Sequence, residues 1–72
     1  MEGMIKIWSA PQLYQVELAK QKLEDNGIEA FVIDKTETIT HVTGFAELYV
    51  YEKDAAAAED ILQPFYAGET GD

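Results

Sequence analysis

His41 is the only histidine of the chain and its most natural acid–base or metal-ligating side chain, because an imidazole titrates near neutral pH. Glu37 and Glu47 are the carboxylates that could join it in a general-base or metal site. Neither chemistry has the spacing it needs. There is no second histidine, no cysteine and no His-x-x-x-His pair, the arrangements that bring ligands onto one ion. A lone histidine in a polar stretch reads as solvated surface. The paired carboxylates Glu24/Asp25 and Glu59/Asp60 are sequence neighbours, and neighbours on a helix point about 100° apart instead of converging on one bond. Ser9 is the only serine, and a helix N-cap explains it. Gly3, Gly27, Gly44, Gly68 and Gly71 fall at no phosphate-loop spacing. The expectation is a protein that is not an enzyme and takes no cofactor and no metal.

Charge narrows the partners. Fourteen acids against five lysines give a net charge of −9, with no arginine anywhere. Nucleic-acid binding draws on clustered Lys and Arg that neutralise phosphates, and anionic membranes attract the same basic patches. Nucleic acid and membrane surfaces are therefore set aside, leaving a protein partner or a small neutral or cationic ligand. No run approaches the ~18 apolar residues of a membrane span, and the N-terminus lacks the pattern of a signal peptide. A cytoplasmic protein is expected. At 72 residues the chain makes one small domain, placed at 1–66 with a flexible polar tail at 67–72. A core of that size gains from self-association.

The elements that must position any site follow from periodicity. Met4–Trp8 alternates as a strand. Ser9–Asn26 is a helical pattern: Ser9 stands three residues ahead of Gln12 at capping-box spacing, and Pro11 falls in the first turn. Its apolar stripe is Leu13, Val16, Ala19 and Leu23 with Leu18 adjoining, and Asn26-Gly27 offers a left-handed exit with Ile28 folding back. Ala30–Asp34, apolar on both faces, reads as a buried strand parallel to the first. Ala46–Glu52 alternates cleanly as a third strand. Asp54–Phe65 is a second helix, capped by Asp54 and ended near Pro64, with Ala58, Ile61, Leu62 and Phe65 as its stripe. Between the second and third strands, Lys35–Phe45 is rich in β-branched residues and reads as a projecting loop or β-ribbon.

A right-handed crossover joins the first two strands, and the third fills the gap between them. The expected fold is α+β and ferredoxin-like, a βαββα unit with a three-stranded antiparallel or mixed sheet in order 1-3-2. Both helices lie on one face and the fourth strand is missing. Leu48, Val50, Ile5 and Ile7 are expected to face the helices. Lys6, Trp8, Glu47, Tyr49 and Tyr51 are expected on the opposite, uncovered face, where exposed aromatics mark contacts.

Ser9-Ala-Pro, Val16-Glu-Leu-Ala-Lys20, Leu23-Glu-x-x-Gly27-Ile28-x-Ala30 and Ala46-Glu-Leu-Tyr-Val50, followed by an acidic turn and Ile61-Leu62, carry a resemblance. Over residues 4–65 the chain resembles the small bacterial family described as Putative prokaryotic signal transducing protein. The resemblance implies a ferredoxin-like fold related to PII-type regulators, a signal-transduction role and no defined catalytic residue. The chain departs from that pattern at Tyr51, where many members carry proline, and in its shorter loop before the third strand.

Together these readings predict a non-catalytic cytoplasmic binding or regulatory module. Its interaction face is Lys6, Trp8, Glu47, Tyr49 and Tyr51, and its candidate effector loop comprises Lys35, Thr38, His41, Gly44 and Phe45. A homodimer is expected, through the first-strand edge or the aromatic faces. The alternative is a metabolite sensor with a pocket at a dimer interface.

Overall fold

The structure, a computed structural model, describes residues 3–35 and 45–69. Strand β1 spans Met4–Ala10, helix α1 Leu13–Asp25, strand β2 Ala30–Asp34 and strand β3 Ala46–Tyr51. A 3-10 turn at Glu52–Asp54 leads into helices α2 (Ala55–Ile61) and α3 (Gln63–Glu69). The sheet order is β1-β3-β2, and β3 runs antiparallel to both neighbours. The fold is α+β and ferredoxin-like in topology, with three strands among the described residues.

β1 runs two residues further than its apolar alternation predicts. Pro11 disfavours the helical region for the residue before it, so Ala10 stays extended and pairs with Ala46. Ser9 is therefore a strand residue opposite Glu47 and not an N-cap. Gln12 takes the N-cap position in extended conformation, with no side-chain cap bond. The other end of α1 is as expected. Gly27 sits at φ +81, its N–H bonds to the Glu24 carbonyl at 3.0 Å, and the Ile28 N–H bonds to the Leu23 carbonyl at 2.9 Å. That is the Schellman pair of bonds, and it buries Ile28 beneath the helix end.

The core lies between the sheet and one layer of helices. Val16, Ala19 and Leu23 of α1, Ala58 of α2 and Leu62 meet Ala46, Leu48 and Val50 of β3, all fully buried. Leu18, read as part of the stripe, is 56% exposed and outside this core. β2 is an edge strand, so its second apolar face is only half-buried and not enclosed as its composition suggested.

The second helix is two helices. Pro64 has no N–H to offer the Asp60 carbonyl, so the ladder breaks at Leu62. The Leu62 carbonyl then accepts from both Phe65 N–H (2.8 Å) and Tyr66 N–H (3.0 Å), starting α3. Pro64 thus opens a helix, where its missing donor is harmless, instead of ending one. Asp54 holds the N-cap position of α2 without a side-chain cap bond; its carboxylate pairs with Lys53 at 3.4 Å. Because α3 runs to Glu69, the tail expected over 67–72 overlaps it by three residues.

Candidate functional site

Alternation along β3 sends Ala46, Leu48 and Val50 toward the helices and Glu47, Tyr49 and Tyr51 the other way. Strand pairing then fixes their neighbours. Lys6 and Phe31 flank Tyr49, Met4 lies opposite Tyr51, and Ser9 and Ile33 flank Glu47. The described helices all lie beyond the opposite face, so none of them covers this surface. Its residues shield one another: the Phe31 and Tyr51 rings meet edge-on at 5.7 Å and 87°, and Lys53 Nζ stands 6.0 Å from the Tyr51 ring centroid. The apolar run of β2 places Phe31 in a buried strand, and only the edge position of β2 brings it to this face.

Glu47 is the electrostatic centre of the face. Its side chain is only 14% exposed, with Lys6 Nζ at 3.7 Å and Lys35 Nζ at 3.4 Å on its two oxygens. The Tyr49 hydroxyl donates to Glu47 Oε1 at 3.0 Å. This hydrogen bond is the main cause that holds the Glu47 carboxyl below the usual glutamate range, with Lys35 and Lys6 adding to it against partial burial. The same bond pushes the Tyr49 phenol up, because the phenol must keep its proton to donate it, and partial burial and the Glu47 charge add to the effect. Both groups move away from neutrality, the wrong direction for proton transfer at neutral pH.

Trp8 does not belong to this face. With unbroken pairing from Lys6↔Tyr49, Trp8 would fall opposite Glu47. A register shift between Lys6 and Trp8 inserts Ile7 as an extra residue and sets Trp8 opposite Leu48 instead, the signature of a β-bulge. The indole is thereby carried to the helix side, where it is 9% exposed. It packs edge-on against Phe65 at 5.8 Å and against Tyr66 at 6.2 Å. The burial of the chain's largest apolar side chain accounts for the bulge. Ile7, displaced by it, is half-buried against the core.

Of the candidate effector loop, Thr38, His41 and Gly44 lie outside the described residues, as does Glu37. Its two ends are in place: the Lys35 N–H bonds to the Phe45 carbonyl at 3.0 Å, extending the β2–β3 ladder. Among the described residues no three His, Cys, Asp or Glu side chains gather as a metal site, and no helix is long and apolar enough to cross a membrane.

A second concavity lies on the helix side. A groove of about 430 Å³ runs between the start of α1 and the α2–α3 break, walled by Trp8, Pro11, Tyr14, Leu18, Pro64 and Phe65. Tyr14 is 60% exposed at its rim. Sequence reasoning missed it, since it depends on the bulge and on the helix break together.

No curated protein and no solved structure matches the chain. Residues 4–65, which run from the first residue of β1 to the third of α3, match the family model described as Putative prokaryotic signal transducing protein, and the chain belongs to that family.

Proposed function

We propose that the chain is a non-catalytic regulatory module that binds a partner protein through its uncovered sheet face. One observation carries this reading: Phe31, Tyr49 and Tyr51 lie half-exposed on a sheet surface that no described helix covers. Tyrosine is among the residue types enriched in the few positions that dominate binding at protein contacts. Lys6, Glu47 and Lys35 give the face a fixed polar centre that orients a partner, and the ends of the Lys35–Phe45 connection border it. The displaced pKa values of Glu47 and Tyr49 favour a binding role over proton transfer. A cysteine-free composition suits the reducing cytoplasm.

The test is differential capture from a prokaryotic lysate. Tyr49→Ser with Tyr51→Ser is expected to keep the fold within about 1 kcal/mol, as for surface changes, and to lose a partner that the wild type retains. Capture of the same partner by the double variant and the wild type alike would overturn the reading.

The helix-side groove favours a second reading, a small-metabolite sensor. Its volume falls within the range of small-molecule sites, and its lining suits an uncharged ligand. The walls of this groove come from α1, the end of β1 and the start of α3 of one chain. Trp8, the only tryptophan, walls it and reports on it directly. A ligand of this groove would shift Trp8 emission and raise the unfolding midpoint, and Leu18→Asp would abolish both effects.

A further inference from the structure

We infer that the chain forms a two-fold dimer by antiparallel pairing of β2 with β2 of a second copy. The two edges of the sheet differ. At β1 the strand is bulged at Ile7, Lys6 stands beside the bulge, and the Tyr66 hydroxyl donates to the Ile7 carbonyl at 3.1 Å. Bulges, lysines and capped carbonyls keep further strands off an edge. β2 carries no bulge. It pairs with β3 over Ala30–Asp34 in unbroken register and contains neither lysine nor proline.

The ladder also shows where its spare backbone groups point. The bond from Lys35 N–H to the Phe45 carbonyl makes those two residues a hydrogen-bonded pair. Antiparallel ladders alternate bonded and non-bonded pairs, so Ile33/Glu47 and Phe31/Tyr49 are bonded as well. Ala30 and Val32 therefore turn their N–H and C=O groups away from β3, toward the edge that no described strand pairs with.

The occupant that fits this edge is the strand itself. A two-fold axis at Val32 sets that residue opposite its own copy, where the two exchange both backbone hydrogen bonds. Phe31 then falls opposite Ile33 on the uncovered face, an aromatic–β-branched pair of the stabilising kind. Glu29 and Lys35, both exposed, fall opposite each other, and symmetry makes this contact twice. Moving the axis to Phe31 would set Ile33 against Glu29 and Lys35 against Gly27, which loses both matches. The product is one six-stranded sheet with its uncovered faces contiguous and all helices on the other side. It does not depend on what the face binds, so its failure would leave the binding reading standing.

Sedimentation of the full chain at roughly tens of micromolar tests it, the range where an interface of this modest size becomes populated. The wild type is expected to be dimeric. Val32→Pro removes a donor that β3 does not use, so this variant should keep its circular dichroism and become a monomer. Lys35→Glu should weaken association about tenfold through two like-charge contacts. Glu29→Lys combined with Lys35→Glu should restore it, although the contact of Lys35 with Glu47 stays lost. A monomeric wild type, a folded Val32→Pro variant that still dimerises, or a charge swap without recovery would each overturn the proposal. Should Val32→Pro fail to fold, the charge swap decides alone.

Discussion

The two faces of this sheet are made from alternate residues of the same strands, yet they end in opposite states. On β3, Ala46, Leu48 and Val50 are fully buried, while Glu47, Tyr49 and Tyr51 between them are half-buried. Residue size does not decide this, since a tyrosine offers more apolar area than an alanine. What decides it is whether a helix packs over the face. The bulge at Ile7 shows how finely the division is set, because one inserted residue moves Trp8 from the open face to the covered one.

The sharpest way to break this comparison is to truncate side chains on each face. Trp8→Ala should cost about 3–5 kcal/mol and Leu48→Ala about 2–5 kcal/mol, as for large buried side chains. The paired Tyr49→Ser and Tyr51→Ser changes should fall well below either. Urea titration gives all three values. A Trp8→Ala variant as stable as the wild type would return the indole to the open face. Tyrosine changes as damaging as Leu48→Ala would make that face a core awaiting its cover.

Local rules made much of this fold legible. Gly27 with Ile28 announced the end of α1, because a left-handed exit needs glycine and an apolar residue beyond it. The period-two pattern of β3 announced both faces, and the crossover rule gave the strand order. The failures arose where tertiary packing overrode a local signal. Ser9 has the residue type and spacing of an N-cap, but Pro11 holds the chain extended past it. Pro64 has the look of a helix stop, but Leu62 absorbs the break and α3 follows. No glycine marks the bulge in Met-Ile-Lys-Ile-Trp, since the demand for it comes from Phe65 and Tyr66, more than fifty residues away in sequence. Of the uncovered sheet face, Lys6, Glu47, Tyr49 and Tyr51 were legible from alternation, and Phe31 was not.

Tyr66 gives a smaller test that joins both faces through the edge. Its ring lies against Trp8 on the covered side, and its hydroxyl caps the bulged carbonyl of Ile7 at 3.1 Å. Tyr66→Phe keeps the ring and removes the cap. The expected loss is about 0.5–1.5 kcal/mol, the net worth of one hydrogen bond. Faster amide exchange should be confined to β1 and α3. Exchange that rises equally across β2 would show that the cap does not act on the β1 edge alone.

The smallest expected effect lies on the open face and is one of pH. Glu47 has its folded pKa lowered by Tyr49 first and by Lys35 and Lys6 after it. A lowered carboxyl contributes stability above its unfolded pKa and loses it as pH falls through the folded value. Tyr49 is raised by the same hydrogen bond. Its contribution is complete below the ordinary tyrosine range and is lost as pH rises through the higher folded value. The cluster should therefore hold across neutrality and weaken at both extremes. The chain's other carboxylates also titrate in acid, so the informative quantity is a difference. Urea midpoints of wild type and Glu47→Gln should converge as pH falls below about 4, the ordinary glutamate range. The difference between wild type and Tyr49→Phe should likewise change above about pH 10, the ordinary tyrosine range, where wild type loses the contribution that the variant lacks. Curves that stay parallel throughout would mean that the lysines and Tyr49 surround Glu47 without holding its charge, and that the open face lacks the fixed polar centre assigned to it.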